Sequence, residues 1–255
     1  MPFKPVQPEK ISQSVLFQIE QLILRGILRP GERLPSEREL SEKMKVSRPS
    51  LREAVAELQV RGLLETRANA GIFVASTLNA VFPEPLTRLF SSHDEAVFDY
   101  LDFRRDMEGM AAERAARLGS DTDLEVINQV YLKMKAAHQK PDPSGEAALD
   151  AEFHLAIVEA SHNVIMLHMM RSMFGLLREG VFYNRKVMFK QRTTRSALLE
   201  QHGMINAALQ NRDATGARAA VEAHLKYVEG SMLDQRKADH NEQIARLRLQ
   251  QEKAR

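Results

Sequence analysis

Asp150 and His154 stand four residues apart in Leu149-Asp150-Ala151-Glu152-Phe153-His154, which on a helix places a carboxylate and an imidazole on one face within reach of one ion. His202 and His224 each interrupt an apolar helical stripe, where an imidazole needs a partner. Three such positions on three helices point to one shared site. Imidazole and carboxylate without thiolate suit a divalent ion such as Zn²⁺, Ni²⁺, Mn²⁺ or Fe²⁺ and do not choose among them. A different chemistry sits near the N-terminus. Arg48 and Arg52 are also four apart, beside Ser47 and Ser50 at a helix start, with Arg38 on the preceding helix. An Arg fork fits guanine O6 and N7 in the major groove, and Ser hydroxyls with helix N-terminal N–H groups hold phosphates.

The elements that must carry these side chains are legible in the pattern. Ile11, Val15, Ile19, Leu22 and Ile23 recur at helical spacing up to Gly26. Ser36 with Glu39 three positions on reads as a capping box opening a second helix through Met44. Ser47 can cap a third helix whose Leu51, Val55 and Leu58 face inward, with Pro49 at an early helical position. Leu63–Arg67 and Gly71–Val74 then form two short strands about a turn at Ala68-Asn69-Ala70, and Asn69 at the tip can enter a minor groove. Helix, helix, tight turn, helix and hairpin is the order of a winged helix-turn-helix. Helical patterns follow at 94–118, 121–138, 146–161, 163–188, 193–211 and 213–233, and Gln235–Arg255 is a charged tail, either a frayed extension of the last helix or disordered.

Composition restricts the function classes. No residue is Cys, which removes disulfides, thiolate nucleophiles, zinc fingers and iron–sulfur clusters. No stretch has the apolar length of a membrane span, and the first residues lack a signal-peptide core, so a cytoplasmic protein with no membrane partner is expected. The net charge of +2 over 255 residues announces no polyanion partner. Residues 1–75 hold 12 Lys and Arg against 9 Asp and Glu, an excess of 12 − 9 = +3. DNA recognition therefore depends on Arg38, Arg48 and Arg52 converging on one face while the acids lie elsewhere.

The first segment resembles the DNA-binding domain of the GntR family of bacterial regulators. The resemblance runs through Gly31-Glu32-Arg33-Leu34-Pro35-Ser36-Glu37-Arg38-Glu39-Leu40, Val46-Ser47-Arg48, Leu51-Arg52-Glu53-Ala54, Gly62-Leu63-Leu64 and Gly71-Ile72-Phe73-Val74. It implies DNA contacts at Arg38, Ser47, Arg48, Ser50 and Arg52. The family has Gly where Asn69 stands; Asn tolerates the left-handed conformation, so the turn is retained. The second half resembles the FCD ligand-binding domain of the FadR branch, an antiparallel helical bundle whose core commonly carries one Asp and three His on a divalent metal. Asp150, His154, His202 and His224 match that pattern. Phe153–Asn163 and Leu101–Gly109 look most like the repressors of the pyruvate dehydrogenase complex and of lactate or glycolate utilisation.

The resemblance implies a mainly α protein divided as 1–76 winged helix-turn-helix, 77–93 connector, 94–234 ligand-binding and dimerisation bundle, and 235–255 tail. It implies a homodimeric regulator, a repressor by family habit, on a short palindrome of double-stranded DNA, with affinity set by a small carboxylate such as pyruvate, lactate or glycolate. That acid would chelate the two positions that four protein ligands leave on an octahedral ion. Arg104, where the family often has Arg, is the expected cationic partner of its carboxylate, unless it forms a surface ion pair with Asp106 or Glu108. Asn184 and Arg185 are weaker candidates. His162 is expected to fix a turn, His168 to pack, and His93, His138 and His240 to be solvated; the Met-rich Met166–Met170 reads as packing. Two alternatives stay open: a metal-dependent enzyme built on the same Asp and His residues, and a purely structural metal with the effector elsewhere.

Overall fold

A computed structural model of the chain describes residues 10–68, 70–76, 82–140, 142, 145–178 and 192–253. The chain forms two compact units, 1–81 and 82–255.

In the first unit α1 (Ile11–Leu24) buries Val15, Ile19 and Ile23 against Leu51, Val55 and Leu58 of α3 (Arg48–Val60). Ile11, at the frayed start of the stripe, is exposed instead. The expected capping box opens α2 (Glu37–Met44): Ser36 Oγ accepts from Glu39 N–H, and the Glu39 carboxylate accepts from Ser36 N–H at 2.8 Å. Lys45 then takes a left-handed conformation, φ 53°, which turns the chain tightly from α2 into α3. Ser36→Ala should cost about 1 kcal/mol and speed hydrogen exchange of the α2 amides roughly fivefold in the intact protein.

β1 (Leu64–Arg67) pairs antiparallel with β2 (Gly71–Val74), Leu64 opposite Val74 and Arg67 opposite Gly71. The chain before α2 adds to the outer edge of β2, where Leu34 N–H donates to Ile72 O and Val74 N–H to Glu32 O, both at 2.9 Å. Gly71 adopts φ +105°, and a Cβ there would meet Arg33 Nε at 3.2 Å, so both conformation and space call for glycine. Arg67 lays its guanidinium 4.3 Å from the centre of the Phe73 ring, which stiffens the base of the hairpin. Asn69, the expected groove contact, lies outside the described residues.

The second unit is helical: α4 (Glu84–Ser92), α5 (Asp94–Leu118), α6 (Asp121–His138), α7 (Glu146–Ala160), α8 (Val164–Arg178), α9 (Arg192–Gln210) and α10 (Ala214–Lys253). α5 lies along α10, α9 packs on α10 and α6, and α7 packs on α5, α6 and α8. Ala111, Ala112, Ala115 and Ala116 of α5 and Ala217 of α10 are fully buried, and these small side chains allow a close approach of the helix pair. Tight connections separate the helices. Ser120 caps α6 reciprocally with Asp123, and His162 holds the α7–α8 turn at φ 52° with its Nε2 3.0 Å from Asp123 Oδ2, the turn-fixing role expected of it. Arg212, at φ 54° between α9 and α10, donates to Gly119 O at 2.8 Å and pairs with Asp121 at 2.6 Å.

Two helix ends bear on the expected boundaries. α8 is described only to Arg178, so the expected extension to 188, with Asn184 and Arg185, lies outside the described residues. The last helix continues past residue 233 to Lys253, so of the two readings of the tail the helical extension is the one observed, its exposed length supported by i,i+4 pairs such as Glu242–Arg246 at 2.8 Å. No helix among the described residues is long and apolar enough to cross a membrane.

Candidate functional site

Three helices bring four ligand-type side chains together inside the second unit. α7 supplies Asp150 and His154 from successive turns, α9 supplies His202 and α10 supplies His224, and all four are buried. One donor atom from each lies within 4.8 Å of every other. His202 Nε2 stands 3.1 Å from Asp150 Oδ1 and 3.3 Å from His154 Nε2, and His154 Nε2 is 3.8 Å from Asp150 Oδ1. Ligands at about 2.0–2.2 Å around one ion are themselves roughly 3.0–3.4 Å apart when adjacent and wider when opposed, so these separations fit a single divalent ion. The imidazoles are packed as well as aimed: Phe153 meets His202 edge-on at 5.2 Å, and His154 stacks on His224 at 5.2 Å.

The outer partners orient the rings. Glu108 of α5 places Oε2 2.6 Å from His154 Nδ1, and Gln201 places Oε1 2.9 Å from His224 Nδ1. In both cases Nδ1 is engaged and Nε2 is left as the ligand, the second-layer arrangement that fixes tautomer and raises basicity at metal-binding imidazoles. The sequence offers Glu108 only as a possible surface partner of Arg104 and gives no sign of Gln201. The available signal was the i,i+4 spacing of Arg104 and Glu108, which reads equally well as a surface pair. Arg104 is in fact 1 % exposed; its Nε donates to Glu108 Oε1 at 2.5 Å and its guanidinium lies 5.3 Å from the Phe174 ring. The pair with Glu108, the alternative offered for Arg104, is formed but buried and not at the surface, one residue removed from the imidazole cluster.

Electrostatics favour the metal-ready protonation states. Burial, the largest influence, would raise the Glu108 carboxyl, but the adjacent Arg104 and His154 together hold it down to about 2. Burial keeps His154 below its ordinary value against the pull of Glu108 and Asp150, and burial followed by the neighbouring His202 and His154 pushes His224 well below. Neutral imidazoles are what a divalent ion requires. The same shifts set a pH dependence for metal-free protein. Unfolded His titrates near 6.5, so below that pH the unfolded chain binds more protons than the folded one and stability falls with acidification, by up to about 1.4 kcal/mol per pH unit for each imidazole. Melting of chelator-treated protein from pH 7.5 to 5.5 should show a falling midpoint; a flat or rising profile would contradict the buried neutral state.

α9 approaches α6 closely beside the cluster. A Cβ at Gly203 would sit 2.6 Å from the Tyr131 hydroxyl, so the residue next to His202 is glycine for space. His138, expected to be solvated, is half-buried, with Nδ1 3.8 Å from Glu146 and Nε2 3.5 Å from Ser196 Oγ. Met166 and Met170 are core residues, as the packing reading expected, while Met169 is exposed.

The first unit presents the residues expected at DNA. Ser47 caps α3, accepting from Ser50 N–H, and the two hydroxyls are 2.9 Å apart. Arg48 is exposed and has no ion pair among the described residues. The acids do not lie elsewhere, however: Arg52 pairs with Glu37 at 2.7 Å and Arg38 with Glu42 at 3.0 Å. Both pairs are solvent-exposed and worth at most about 1 kcal/mol, so a phosphate or a base edge can replace the carboxylate at small cost. Electrostatically they hold the arginines extended on the α2–α3 surface.

Comparison with known proteins matches both units. Residues 11–74 match the model of the bacterial regulatory proteins, gntR family, and residues 99–227 match the FCD domain. The chain is 36% identical to the Glc operon transcriptional activator of Escherichia coli over 88% of its own length and 89% of that protein. It is 34% identical to the HTH-type transcriptional regulator LutR of Bacillus subtilis, over 82% and 94% of the respective lengths. Among solved structures, Streptococcus agalactiae GntR superposes with a TM-score of 0.51 at 25% identity, over 86% of this chain and 98% of that one. The family and these relatives are transcriptional regulators, which answers the enzyme alternative. The chain belongs to the GntR family of DNA-binding transcriptional regulators, with an FCD domain of the kind found in its FadR branch.

Proposed function

We propose that this regulator is a cytoplasmic homodimer that binds a short palindromic operator with an affinity set by a small carboxylate at a divalent metal centre. The observation that carries the metal is the buried convergence of Asp150, His154, His202 and His224 within 4.8 Å. Three imidazoles and one carboxylate suit Zn²⁺, Ni²⁺, Mn²⁺ or Fe²⁺. Bound there, the ion would supply two free coordination positions for the carboxylate and the adjacent keto or hydroxyl oxygen of an acid such as pyruvate, lactate or glycolate. Glu108 and Gln201 hold the imidazoles, and Arg104 contributes positive charge beside the centre for the acid's carboxylate. Because the four side chains are buried, admitting even a two-carbon acid requires the bundle to shift, and that differential is how a ligand biases a conformational equilibrium.

At the operator, Arg48 is the leading reader of a base edge, with Arg38 and Arg52 beside it, Ser47 and Ser50 on phosphate and Asn69 at the wing tip. Arg48→Ala should weaken specific binding by about 1–3 kcal/mol at fixed salt and relax discrimination at one base pair, measured by fluorescence anisotropy on matched and mismatched duplexes. Full retained affinity would remove Arg48 from the reading set. Repression is the sign proposed; since one relative is named an activator, a promoter-fusion assay with and without the gene decides it.

The test of the metal and effector together is elemental analysis of purified protein followed by thermal melting with two- to six-carbon acids. The expected result is about one ion per chain and a melting point raised by a 2-keto or 2-hydroxy acid, following ligand linkage. Protein that takes up no divalent ion would overturn the proposal.

A further inference from the structure

A second, smaller charged cluster lies on the far side of His202. α7 and α9, which bring Asp150 to His202, also carry Glu146 and Arg195, one helical turn before Asp150 and two turns before His202. The Arg195 guanidinium binds the Glu146 carboxylate and reaches the carbonyl oxygens of His138 at 3.2 Å and Lys140 at 3.3 Å, at the end of α6. Glu146 is 6 % exposed and fixed in orientation by this clamp. Between the clamp and the metal cluster is a cavity of about 10 Å³ lined by Met134, Glu146, Arg195, Leu199 and His202. That is room for one water, and Glu146, Arg195 and His202 supply the polar groups of an otherwise apolar wall.

His202 supplies the second observation. His154 Nδ1 and His202 Nδ1 are both buried without a well-aligned hydrogen bond, but His154 Nδ1 has the Glu108 carboxylate 2.6 Å away and His224 Nδ1 has Gln201 Oε1 at 2.9 Å, whereas His202 Nδ1 has no hydrogen-bond partner among the described residues. If Nε2 is the ligand atom, Nδ1 must carry the proton, and a buried N–H without an acceptor is unfavourable. Metal-bound imidazoles as a class donate that proton to a carboxylate, a carbonyl or a water.

We infer that Glu146 is a positioning residue for His202, acting through one water held in the cavity that the two residues line. The water accepts from His202 Nδ1–H and donates to the Glu146 carboxylate, whose direction Arg195 and the α6 carbonyls set. All three imidazoles are then oriented from outside, by Glu108, by Gln201 and by the Glu146 water. This assignment rests on the proposed metal site, which the test therefore also examines.

Full-length protein loaded with Co²⁺ is the probe, because the paramagnetic ion shifts the exchangeable N–H protons of its imidazole ligands far from the protein envelope. Three such resonances are expected in wild type, and His202→Ala, recorded in saturating Co²⁺ with no chelator so that the weakened site is still filled, identifies one by its loss. In Glu146→Gln that resonance should move and exchange faster with solvent while those of His154 and His224 stay in place, and Co²⁺ affinity by chelator competition should fall about 10-fold or more. Glu146→Gln leaves the Arg195 charge unpaired, so the double variant Glu146→Gln with Arg195→Met, which leaves no unpaired charge, guards against loss of fold and should show the same displaced resonance. A His202 resonance unmoved in both variants, with Co²⁺ bound, overturns the role of Glu146 and leaves the metal site standing. Wild-type protein that binds no Co²⁺ overturns both.

Discussion

Arg104→Ala should destabilise the second unit by about 3–5 kcal/mol, the largest loss expected from any single substitution in the chain. Arg104 and Glu108 are 1 % and 2 % exposed, and the pair is joined at 2.5 Å across one turn of α5. Removing the guanidinium leaves the Glu108 carboxylate buried beside His154 with its principal counter-charge gone. Either it stays ionised in a poorly solvating interior or it takes a proton that it normally sheds near pH 2, and both alternatives cost free energy. The truncation also strips the contacts of the guanidinium with the Tyr100 and Phe174 rings. Urea denaturation followed by far-ultraviolet circular dichroism measures the loss. The pair-deleting variant Arg104→Met with Glu108→Leu should recover most of it, since no charge is then stranded. A single variant within about 1 kcal/mol of wild type would show that the pair is hydrated in solution.

His202→Ala is expected to have the largest effect on the metal. It removes the imidazole whose Nε2 stands 3.1 Å from Asp150 Oδ1 and 3.3 Å from His154 Nε2, between the other ligand atoms. Affinity should fall by more than the 10–100-fold that loss of an outer partner costs, so protein dialysed against a weak chelator retains no stoichiometric ion. The separate question is what the metal is for. If it senses the effector, the variant remains a folded dimer that binds DNA and ignores the acid. If it only braces three helices, the variant melts far below wild type and binds operator poorly. The first outcome is expected, because Phe153, Ile157, Ile205 and Leu225 around the site belong to one large buried apolar core that joins these helices through its own contacts.

The parts of this molecule that could be read in advance are those governed by local spacing. Ser36 with Glu39 announces α2, Ser47 announces α3, and the i,i+4 step from Asp150 to His154 announces two ligands on one helix face. The interruption of apolar stripes by His202 and His224 announces buried imidazoles. What could not be read was set by packing between distant segments. Glu108 sits in a charged stretch, Arg104-Arg105-Asp106-Met107-Glu108, whose period does not tell a buried carboxylate from a solvated one; only the contact of α5 with α7 does. His138 looks solvated at a helix end until α9 brings Ser196 and Arg195 over it. The acids beside Arg38 and Arg52 escaped for the opposite reason. Glu42 follows Arg38 by one turn, a spacing legible in the sequence, whereas Glu37 reaches Arg52 only across the α2–α3 turn. The apolar stripe of α10 ends before the helix does, which is why the pattern leaves helical extension and disorder both open for residues 235–255. Helix-forming residues and i,i+4 pairs carry it onward without a buried face.

The most direct test of the central claim is an operator-binding titration on metal-loaded, full-length protein, using a duplex that the protein itself selects from a random pool. Fluorescence anisotropy is recorded at fixed salt, since phosphate contacts make affinity salt-dependent, with pyruvate, L-lactate or glycolate added in turn and acetate as the acid lacking a second chelating oxygen. The account predicts that at least one chelating acid changes operator affinity about tenfold or more, that acetate does so weakly, and that the response disappears in His202→Ala while its DNA binding remains. Operator affinity unchanged by every chelating acid, with metal bound, would contradict it.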